Sequence, residues 1–210
     1  MSVSSTIPLD DLFLDLSHPN PNIRMDACVL MSEYYFEEAL PRLLGLLSDP
    51  DPVVYRTAVK GLGIFGHQVL LPLLDLYNST ENSTIKACCI KAFVQVSVNF
   101  PDVTFPDQAI SVLKLAIEDS NPVVSQSALM TLGHLSKQEL ESERVIPILI
   151  RACNSSNMAH AQSAVMSLAE VKSSKVDQCF ASLISEESTD DLIKEFVESS
   201  MARRKSLFEN

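Results

Sequence analysis

The fold is decided by a short stretch that occurs three times along the chain: Asp51-Pro52-Val53-Val54, Asn20-Pro21-Asn22-Ile23 and Asn121-Pro122-Val123-Val124. Each copy places Asn or Asp before Pro, with an aliphatic residue two places after the Pro. The Asn or Asp side chain can accept hydrogen bonds from free backbone N–H groups, and Pro at the first helical position has no N–H to lose. The stretch therefore predicts the start of a helix in all three places.

The same pattern predicts three further helices, which begin after Asn82, Asn157 and Asp190. The six capping residues are separated by 31, 31, 39, 36 and 33 residues. When the capping residue is counted as one, positions four, eight and twelve lie on one helix face, and most of them are apolar. These positions hold Ile23, Val54, Ile85, Val124, His160 and Ile193; Ala27, Ala58, Cys89, Ala128, Ala164 and Val197; and Met31, Leu62, Phe93, Leu132, Leu168 and Met201. A recurring unit of this length indicates a repeat architecture.

A second apolar segment with an internal Pro precedes several caps, as at Pro41, Pro72 and Pro147. Together the two segments follow the HEAT pattern. We predict an all-α fold, an α-solenoid of about six HEAT-like two-helix repeats forming a curved superhelix. It is expected to be a single domain over residues 1–210, with repeats at 9–35, 37–66, 67–101, 105–136, 145–174 and 175–204. An irregular helical bundle is the alternative, but the regular spacing of the caps and the matching positions after them would then be a coincidence.

Three local features complete the predicted architecture. Gly63 and Gly133 are expected to end their helices, since glycine is common just past a helix C-terminus. The segment with Glu139, Glu141 and Glu143 is expected to be a solvated linker between repeats.

Composition limits the classes of partner. The chain of 210 residues has 27 Asp and Glu against 16 Lys and Arg, a net charge of −11. Binding to a phosphate backbone or an anionic membrane surface needs an excess of basic residues, so we expect neither nucleic acid nor membrane insertion. No signal peptide and no apolar run of about 18 residues is present, which favours a cytoplasmic location. The five cysteines include no CxxC pair and are expected to be free thiols.

Catalytic and metal-binding motifs are absent from the sequence. The four histidines are scattered, and there is no HExxH, zinc-type spacing, GxSxG or P-loop. We therefore predict no catalytic residue, no metal and no permanently bound cofactor. Cys88 and Cys89 point about 100° apart on a helix, so we expect Cys89 in the core and Cys88 at the surface. A metal-binding or bilin-holding thiol at this pair is the weaker alternative.

One group of basic side chains is the candidate binding site. In a HEAT array the second helices line the concave face, and residues two places from the core positions face the groove. Basic side chains at these positions would form a positively charged patch in an acidic protein. Such a patch could bind the carboxylates of a ligand or an acidic partner surface. The alternative is ordinary solvated charge with pairing inside each helix. The predicted site consists of Arg24, Tyr55, Arg56, Lys60, Lys86 and Lys91.

Three segments resemble a known family: Leu16 to Arg24, Tyr55 to Gly63, and Gln95-Val96-Ser97-Val98-Asn99-Phe100-Pro101 followed by Phe105-Pro106 and Asp119 to Val124. They are similar to the cyanobacterial HEAT-repeat phycobilin lyase family, which comprises E/F-type lyases and their Y/Z-type relatives. The resemblance is most specific from Leu16 to Gly133.

The resemblance implies a cytoplasmic cyanobacterial lyase subunit or chaperone-like factor for phycobiliprotein maturation. Its implied partners are a phycobiliprotein alpha or beta subunit and a larger HEAT-repeat lyase subunit, with phycobilin as a transient ligand. The two bilin propionates would then meet Arg56, Lys60 and Lys91. Two other functions stay open: a scaffold for iron–sulfur assembly, which would involve Cys88, Cys89 or Cys153, and a generic protein–protein adaptor.

Overall fold

The computed structural model describes residues 7–208, which form helices joined by short turns and contain no β-strand. The all-α prediction is therefore confirmed. The helices group into two compact units, which meet in the sequence between Val103 and Thr104. Within the described range, no helix combines the length and the apolar character needed to cross a lipid bilayer.

Each unit consists of three helix pairs. The first unit contains α1 (Leu9–Asp15) and α2 (Pro21–Tyr34), α3 (Phe36–Gly45) and α4 (Pro52–Ile64), and α5 (Leu70–Ser79) and α6 (Ser83–Asn99). The second contains α7 (Asp107–Ala116) and α8 (Pro122–Leu135), α9 (Glu139–Cys153) and α10 (Met158–Leu168), and α11 (Ser174–Ser185) and α12 (Asp191–Phe208). Short 3₁₀ turns at Leu46–Ser48 and Gly66–Val69 follow α3 and α4.

Every predicted capping residue starts a helix as expected. Each side-chain oxygen accepts a hydrogen bond from the backbone N–H two residues on, which satisfies a donor that the first helical turn leaves free. The bonds measure 3.0 Å at Asn20, 2.8 Å at Asp51, 2.9 Å at Asn82, 2.9 Å at Asn121, 3.0 Å at Asn157 and 2.9 Å at Asp190. Each predicted cap therefore marks the start of a second helix, at the spacing read from the sequence.

The core lies where repeat positions eight and twelve place it, with one exception at position twelve. At position four, Ile23, Val54 and Ile85 are only half-buried. Position twelve is fully buried in the first five second helices, for example at Phe93 and Leu132. In α12 the corresponding Met201 is 43% exposed. This helix instead buries Ser200 and Arg204, and it packs against α10 and α11.

Arg204 is a buried side chain that links α12 to the end of α10 and to α11 within the second unit. Its guanidinium donates to the backbone carbonyls of Leu168 and Val171 and pairs with Asp177 at 2.6 Å. A buried arginine whose donors are all directed at oxygens holds the surrounding chain in place.

The prediction that Gly63 and Gly133 end their helices is wrong. Both lie inside helices, and both mark places where neighbouring second helices approach closely. A Cβ on Gly63 would lie 2.2 Å from the Cβ of Gln95, and one on Gly133 would lie 2.4 Å from the Oγ of Ser167. Glycine is present there because no side chain fits between the helices.

The prediction that Glu141 lies in a solvated linker is also wrong. Glu141 belongs to the first turn of α9 and its side chain is fully buried. It accepts a hydrogen bond from the backbone N–H of Phe105 at 2.7 Å and pairs with Arg144 at 2.8 Å. Burial of this carboxylate is tolerated because both partners are in place.

Candidate ligand-binding and docking faces

Helices α4 and α6 of the first unit lie side by side in nearly the same register. Gly63, the thirteenth residue counted from the cap Asp51, meets Gln95, the fourteenth counted from the cap Asn82. Residues with equal numbers therefore stand at almost the same level on the two helices. Lys60 and Lys91 are both tenth residues, so they lie at nearly the same level on α4 and α6.

The structure brings Arg56, Lys60 and Lys91 to the surface of these two helices, and we call this set the basic face. All three side chains are exposed. None of them forms an ion pair with a residue of the described range. Three unpaired cations on two adjacent helices favour binding of anionic groups, most of all in a protein with net charge −11.

Cys88 lies beneath the basic face. The prediction that it is exposed is wrong, since it is only 3% accessible. Burial raises the pKa of the Cys88 thiol, whereas the nearby charges of Lys91 and Arg56 act to lower it. Both cations therefore act electrostatically on the same sulfur. The thiol itself is protonated and buried away from solvent. A ligand at this surface would therefore contact the cations and not the sulfur.

The other predicted site residues have contacts of their own. Tyr55 is half-buried, and the guanidinium of Arg56 lies 5.8 Å from the centre of its ring. Arg24 donates to the carbonyl oxygens of His18 and Pro19, at 2.5 and 3.1 Å, and thereby holds the turn before α2. These bonds engage Arg24 in the backbone of its own repeat.

Lys86 is also engaged within its own repeat. Its Nζ lies 3.5 Å from a carboxylate oxygen of Glu81 and 5.7 Å from the ring centre of Tyr77. We therefore restrict the candidate ligand site to the three residues of the basic face, with Tyr55 beside Arg56.

A second candidate surface lies on α8 and α10 of the second unit. Neither helix contains an Asp, Glu, Lys or Arg residue. Large apolar side chains are nevertheless exposed there: Val123 by 52%, Met130 by 62% and Met166 by 56%. We call Val123, Met130 and Met166 the uncharged face. Exposed methionines adapt their shape to a partner and are common at protein-binding surfaces.

The two helices of the uncharged face also run in nearly equal register. Gln126, the sixth residue from its cap, donates to the Oγ of Ser163, the seventh from its cap, at 3.3 Å. Met130 and Met166 are both tenth residues and so stand at the same level. The repeat position that carries lysine in α4 and α6 thus carries methionine in α8 and α10.

Sequence reasoning missed the uncharged face because methionines at helical spacing are usually core residues. Two signals were available to find it. The stretches of α8 and α10 lack charge in an otherwise charged chain, and position ten is two places from the core positions eight and twelve. The same rule that selected Lys60 and Lys91 therefore selects Met130 and Met166.

An ion-pair network lies just past the C-terminal ends of α8 and α10. Glu170 pairs with Lys137 after α8 and with Arg203 on α12. The two cations lower the pKa of the Glu170 carboxyl, chiefly through the hydrogen bond from Lys137. Among the residues that the structure describes, no group of three or more His, Cys, Asp or Glu side chains could hold a metal ion.

Comparison with known proteins supports the repeat architecture and adds close relatives. The family model for HEAT repeats matches residues 9–93 and 110–201. The chain is 73% identical to the "Bilin biosynthesis protein CpeZ" of Synechococcus sp. (strain WH8020) over 186 residues, which cover 89% of this chain and 100% of that protein. It is 31% identical to the "Uncharacterized phycocyanin operon protein Z" of Pseudanabaena tenuis (strain PCC 7409), with 93% and 94% covered.

A solved structure shows the same fold at low sequence identity. The complex of CpcE and CpcF of phycocyanin lyase from Nostoc sp. PCC7120 matches with a TM-score of 0.59 at 16% identity, covering 78% of this chain and 98% of that one. Identity at this level is informative about the helical repeat fold alone. The predicted resemblance to this group of proteins is confirmed by the sequence relatives.

Proposed function

Because this chain belongs to the HEAT-repeat family of bilin biosynthesis proteins that includes CpeZ, we propose that it is a phycobilin lyase subunit or chaperone-like factor. In this role it binds a phycobiliprotein subunit and assists bilin attachment or folding. The observation that carries the proposal is the 73% identity over the full length of the relative named for bilin biosynthesis.

The basic face supports a direct role in holding bilin. A phycobilin is an open-chain tetrapyrrole with two propionate carboxylates, so it presents two anionic groups to a protein. Arg56, Lys60 and Lys91 offer three cations on adjacent helices, with no acidic partner among the described residues. Charge-assisted hydrogen bonds of this kind are stronger than neutral ones and fix orientation as well as affinity. The bilin would be bound in transit, as substrate.

The attachment reaction does not require a nucleophile from this chain. A cysteine thiol of the client adds to a vinyl group of the bilin, so the nucleophile belongs to the client. A protein that holds the two reactants in a productive orientation can supply a large part of the rate increase. This chain would contribute binding and orientation, which agrees with a surface rich in binding groups.

The uncharged face supports binding of the client polypeptide. Unassembled protein subunits expose apolar helix surfaces, which pack favourably on exposed apolar side chains. Val123, Met130 and Met166 present such a surface without a charge on either helix. We propose that the client phycobiliprotein subunit docks there through an apolar helix surface.

A second HEAT-repeat chain is the proposed partner in the lyase reaction. Support comes from the similar fold of CpcE and CpcF, which form a complex in phycocyanin lyase. In this scheme the present chain is the smaller subunit and the partner is the larger one.

The proposal is tested by co-expression. Phycobiliprotein alpha and beta subunits are produced together with bilin-synthesis enzymes, with and without this chain and with and without a larger HEAT-repeat lyase subunit. Covalent bilin on each client, soluble client and recovered complexes are measured. We expect this chain to raise covalent bilin or soluble client on one subunit. No change in either quantity, with no complex recovered, would rule the proposal out.

The same experiment separates the two other functions considered from the sequence. A generic adaptor would bind a partner tightly whether or not bilin is made. An iron–sulfur scaffold would show cluster absorbance after anaerobic preparation and would leave covalent bilin unchanged.

A further inference from the structure

An open, mostly apolar groove lies in the first unit between α1, the end of α3 and the start of α4, and we call it the N-terminal groove. Its cavity volume is about 470 Å³, which is the size of a pocket for a small ligand or for a large side chain of a partner. Five of its eight lining residues are apolar. The lining consists of Phe13, Leu14, Leu16, Ser17, Arg42, Leu46, Asp49 and Val54.

The fold leaves apolar side chains of this groove in contact with water. Leu14, in the last turn of α1, is 73% exposed. Val53, which precedes the lining residue Val54 on α4, is 43% exposed. Apolar surface of this kind gains free energy when an apolar partner covers it. The groove therefore favours a partner that brings an apolar side chain.

Arg42 is the cation among the lining residues, and its charge is already compensated. Its guanidinium pairs with Asp10 at 2.9 Å and lies 3.8 Å from the centre of the Phe13 ring. These contacts join α3 to α1 and form one side of the groove. An anionic ligand would have to compete with Asp10 for this guanidinium.

Carboxylates are concentrated around the groove. Asp49 lines it, and Asp11 and Asp15 lie on the same short helix as Phe13 and Leu14. None of these three carboxylates forms an ion pair with a residue that the structure describes. Residues 7–55 hold nine Asp or Glu and two Arg, a net charge of −7, whereas residues 56–103 have a net charge of +1. The negative charge of the first unit is thus carried by the part of the chain that forms the groove.

We propose that the N-terminal groove binds a basic amphipathic segment of a partner protein. A Leu or Phe side chain of that segment fills the groove, and Lys or Arg residues on either side of it pair with the surrounding carboxylates. Charge complementarity selects this occupant, because an acidic apolar segment would be repelled by the same carboxylates. The groove shares no residue with the basic face or the uncharged face, so this docking role does not depend on the function proposed above.

The apolar and the charged parts of the groove have separable effects on binding. An apolar side chain that is buried in a pocket carries most of the affinity of an interface, whereas exposed charges at the rim act mainly on the association rate and are screened by salt. We therefore expect the loss of Leu14 to abolish most of the affinity at any salt concentration. Loss of a carboxylate should instead reduce the dependence on salt.

The test is titration of the full-length protein with three fluorescein-labelled helical peptides of equal length. The first has a stripe of Leu flanked by Lys, the second has Ser in place of Leu, and the third has Glu in place of Lys. We expect the first to bind at least tenfold more tightly than the other two, and its affinity to fall as salt is added. Failure of the first peptide to bind, or equal binding of either control peptide, would overturn the proposal.

Matched variants locate the binding to the groove. Leu14→Asp should weaken binding of the first peptide at least tenfold, whereas Leu71→Asp should leave it unchanged, since Leu71 is 57% exposed on α5 of the same unit. Asp15→Lys should lower the salt dependence more than Asp75→Lys, a charge reversal at an exposed site on α5. Circular dichroism checks that all four variants keep their helical content. Equal losses in the groove variants and their controls would overturn the assignment.

A second copy of this chain is the competing occupant, and the same variant excludes or establishes it. Sedimentation of the wild-type protein alone should show no association that Leu14→Asp removes. A dimer that is present in the wild type and lost in Leu14→Asp would replace the basic partner segment with a second copy and overturn the proposal.

Discussion

Glu141 accepts a hydrogen bond from the backbone N–H of Phe105 at 2.7 Å, 36 residues away along the chain. Arg144 donates to the carbonyl oxygen of the same Phe105 at 3.0 Å. Two side chains from the start of α9 thus hold both polar backbone groups of Phe105, whose own side chain is 2% exposed. This arrangement fixes the start of the second unit, just before α7.

Replacing Glu141 with Ala should destabilise the protein by roughly 2–4 kcal/mol, because it removes the carboxylate bound to the buried N–H of Phe105. Arg144 loses one of its two carboxylate partners and keeps Asp107. The free energy of unfolding from urea denaturation measures the loss. Glu139→Ala is the matched control, since Glu139 is exposed in the same first turn of α9 and should change stability by less than about 0.5 kcal/mol. Equal effects of the two changes would contradict the structural role of Glu141.

Two glycine-to-alanine substitutions should change the stability of the protein in opposite directions. Gly63→Ala places a methyl group 2.2 Å from the Cβ of Gln95 and 2.9 Å from its backbone carbonyl carbon, so α4 and α6 must separate. We expect a loss of about 1–3 kcal/mol from this overpacking. Gly45→Ala meets nothing within 4 Å in a helical conformation and should stabilise by about 0.5–1 kcal/mol. Thermal unfolding of both variants gives the signs, and a stabilising Gly63→Ala would contradict the close helix approach.

Thiol labelling should separate the cysteines by pH. Only the thiolate reacts, so a raised pKa means slower labelling at neutral pH and a lowered pKa means faster labelling. With pKa values of about 12, Cys28 and Cys89 are ionised in about one molecule in 10⁴ at pH 8. We expect iodoacetamide to label Cys179 first in the folded, reduced protein, as shown by mass spectrometry of tryptic peptides. Labelling of Cys28 at the rate of Cys179 at pH 7.5 would contradict the full burial of the Cys28 thiol.

The uncharged face should be needed for client binding. Met130→Asp with Met166→Asp places two charges on a surface that has none, and we expect the affinity for the client subunit to fall at least tenfold, or about 1.4 kcal/mol. Leu115→Asp is the matched control, because Leu115 is 73% exposed but lies on α7. Titration of each variant with purified client provides the affinities. An unchanged affinity in the double variant, with normal helical content, would exclude this face as the docking surface.

The sequence predicted those parts of the fold that depend on local rules. Asn82 could be identified as a cap because the apolar positions after it repeat those after Asp51, and its side chain does cap α6. Predictions failed where a distant residue decides the outcome. Gly63 was taken for a helix end because nothing in the sequence shows that Gln95 lies against it, and Glu141 was taken for a surface residue because Phe105 is 36 positions away.

The candidate site was predictable to a similar degree. The exposure of Arg56, Lys60 and Lys91 could be predicted, because it depends only on their positions within the repeat. Spacing could not show that Arg24 is engaged by the carbonyls of His18 and Pro19. Nor could it show that exposed methionines at position ten extend the pattern into α8 and α10, because an apolar residue in a helix is usually buried.

The central claim, that this chain holds bilin through its basic face while the client reacts, is tested most directly by one measurement. Covalent bilin per client subunit is determined after co-expression with the wild-type chain, with the triple variant R56E/K60E/K91E, and with K114E as control. Lys114 is an exposed lysine on α7, outside the basic face. We predict that K114E matches the wild type and that the triple variant loses about 80% or more of the covalent bilin while staying folded. Wild-type levels of attachment with the triple variant would contradict the claim.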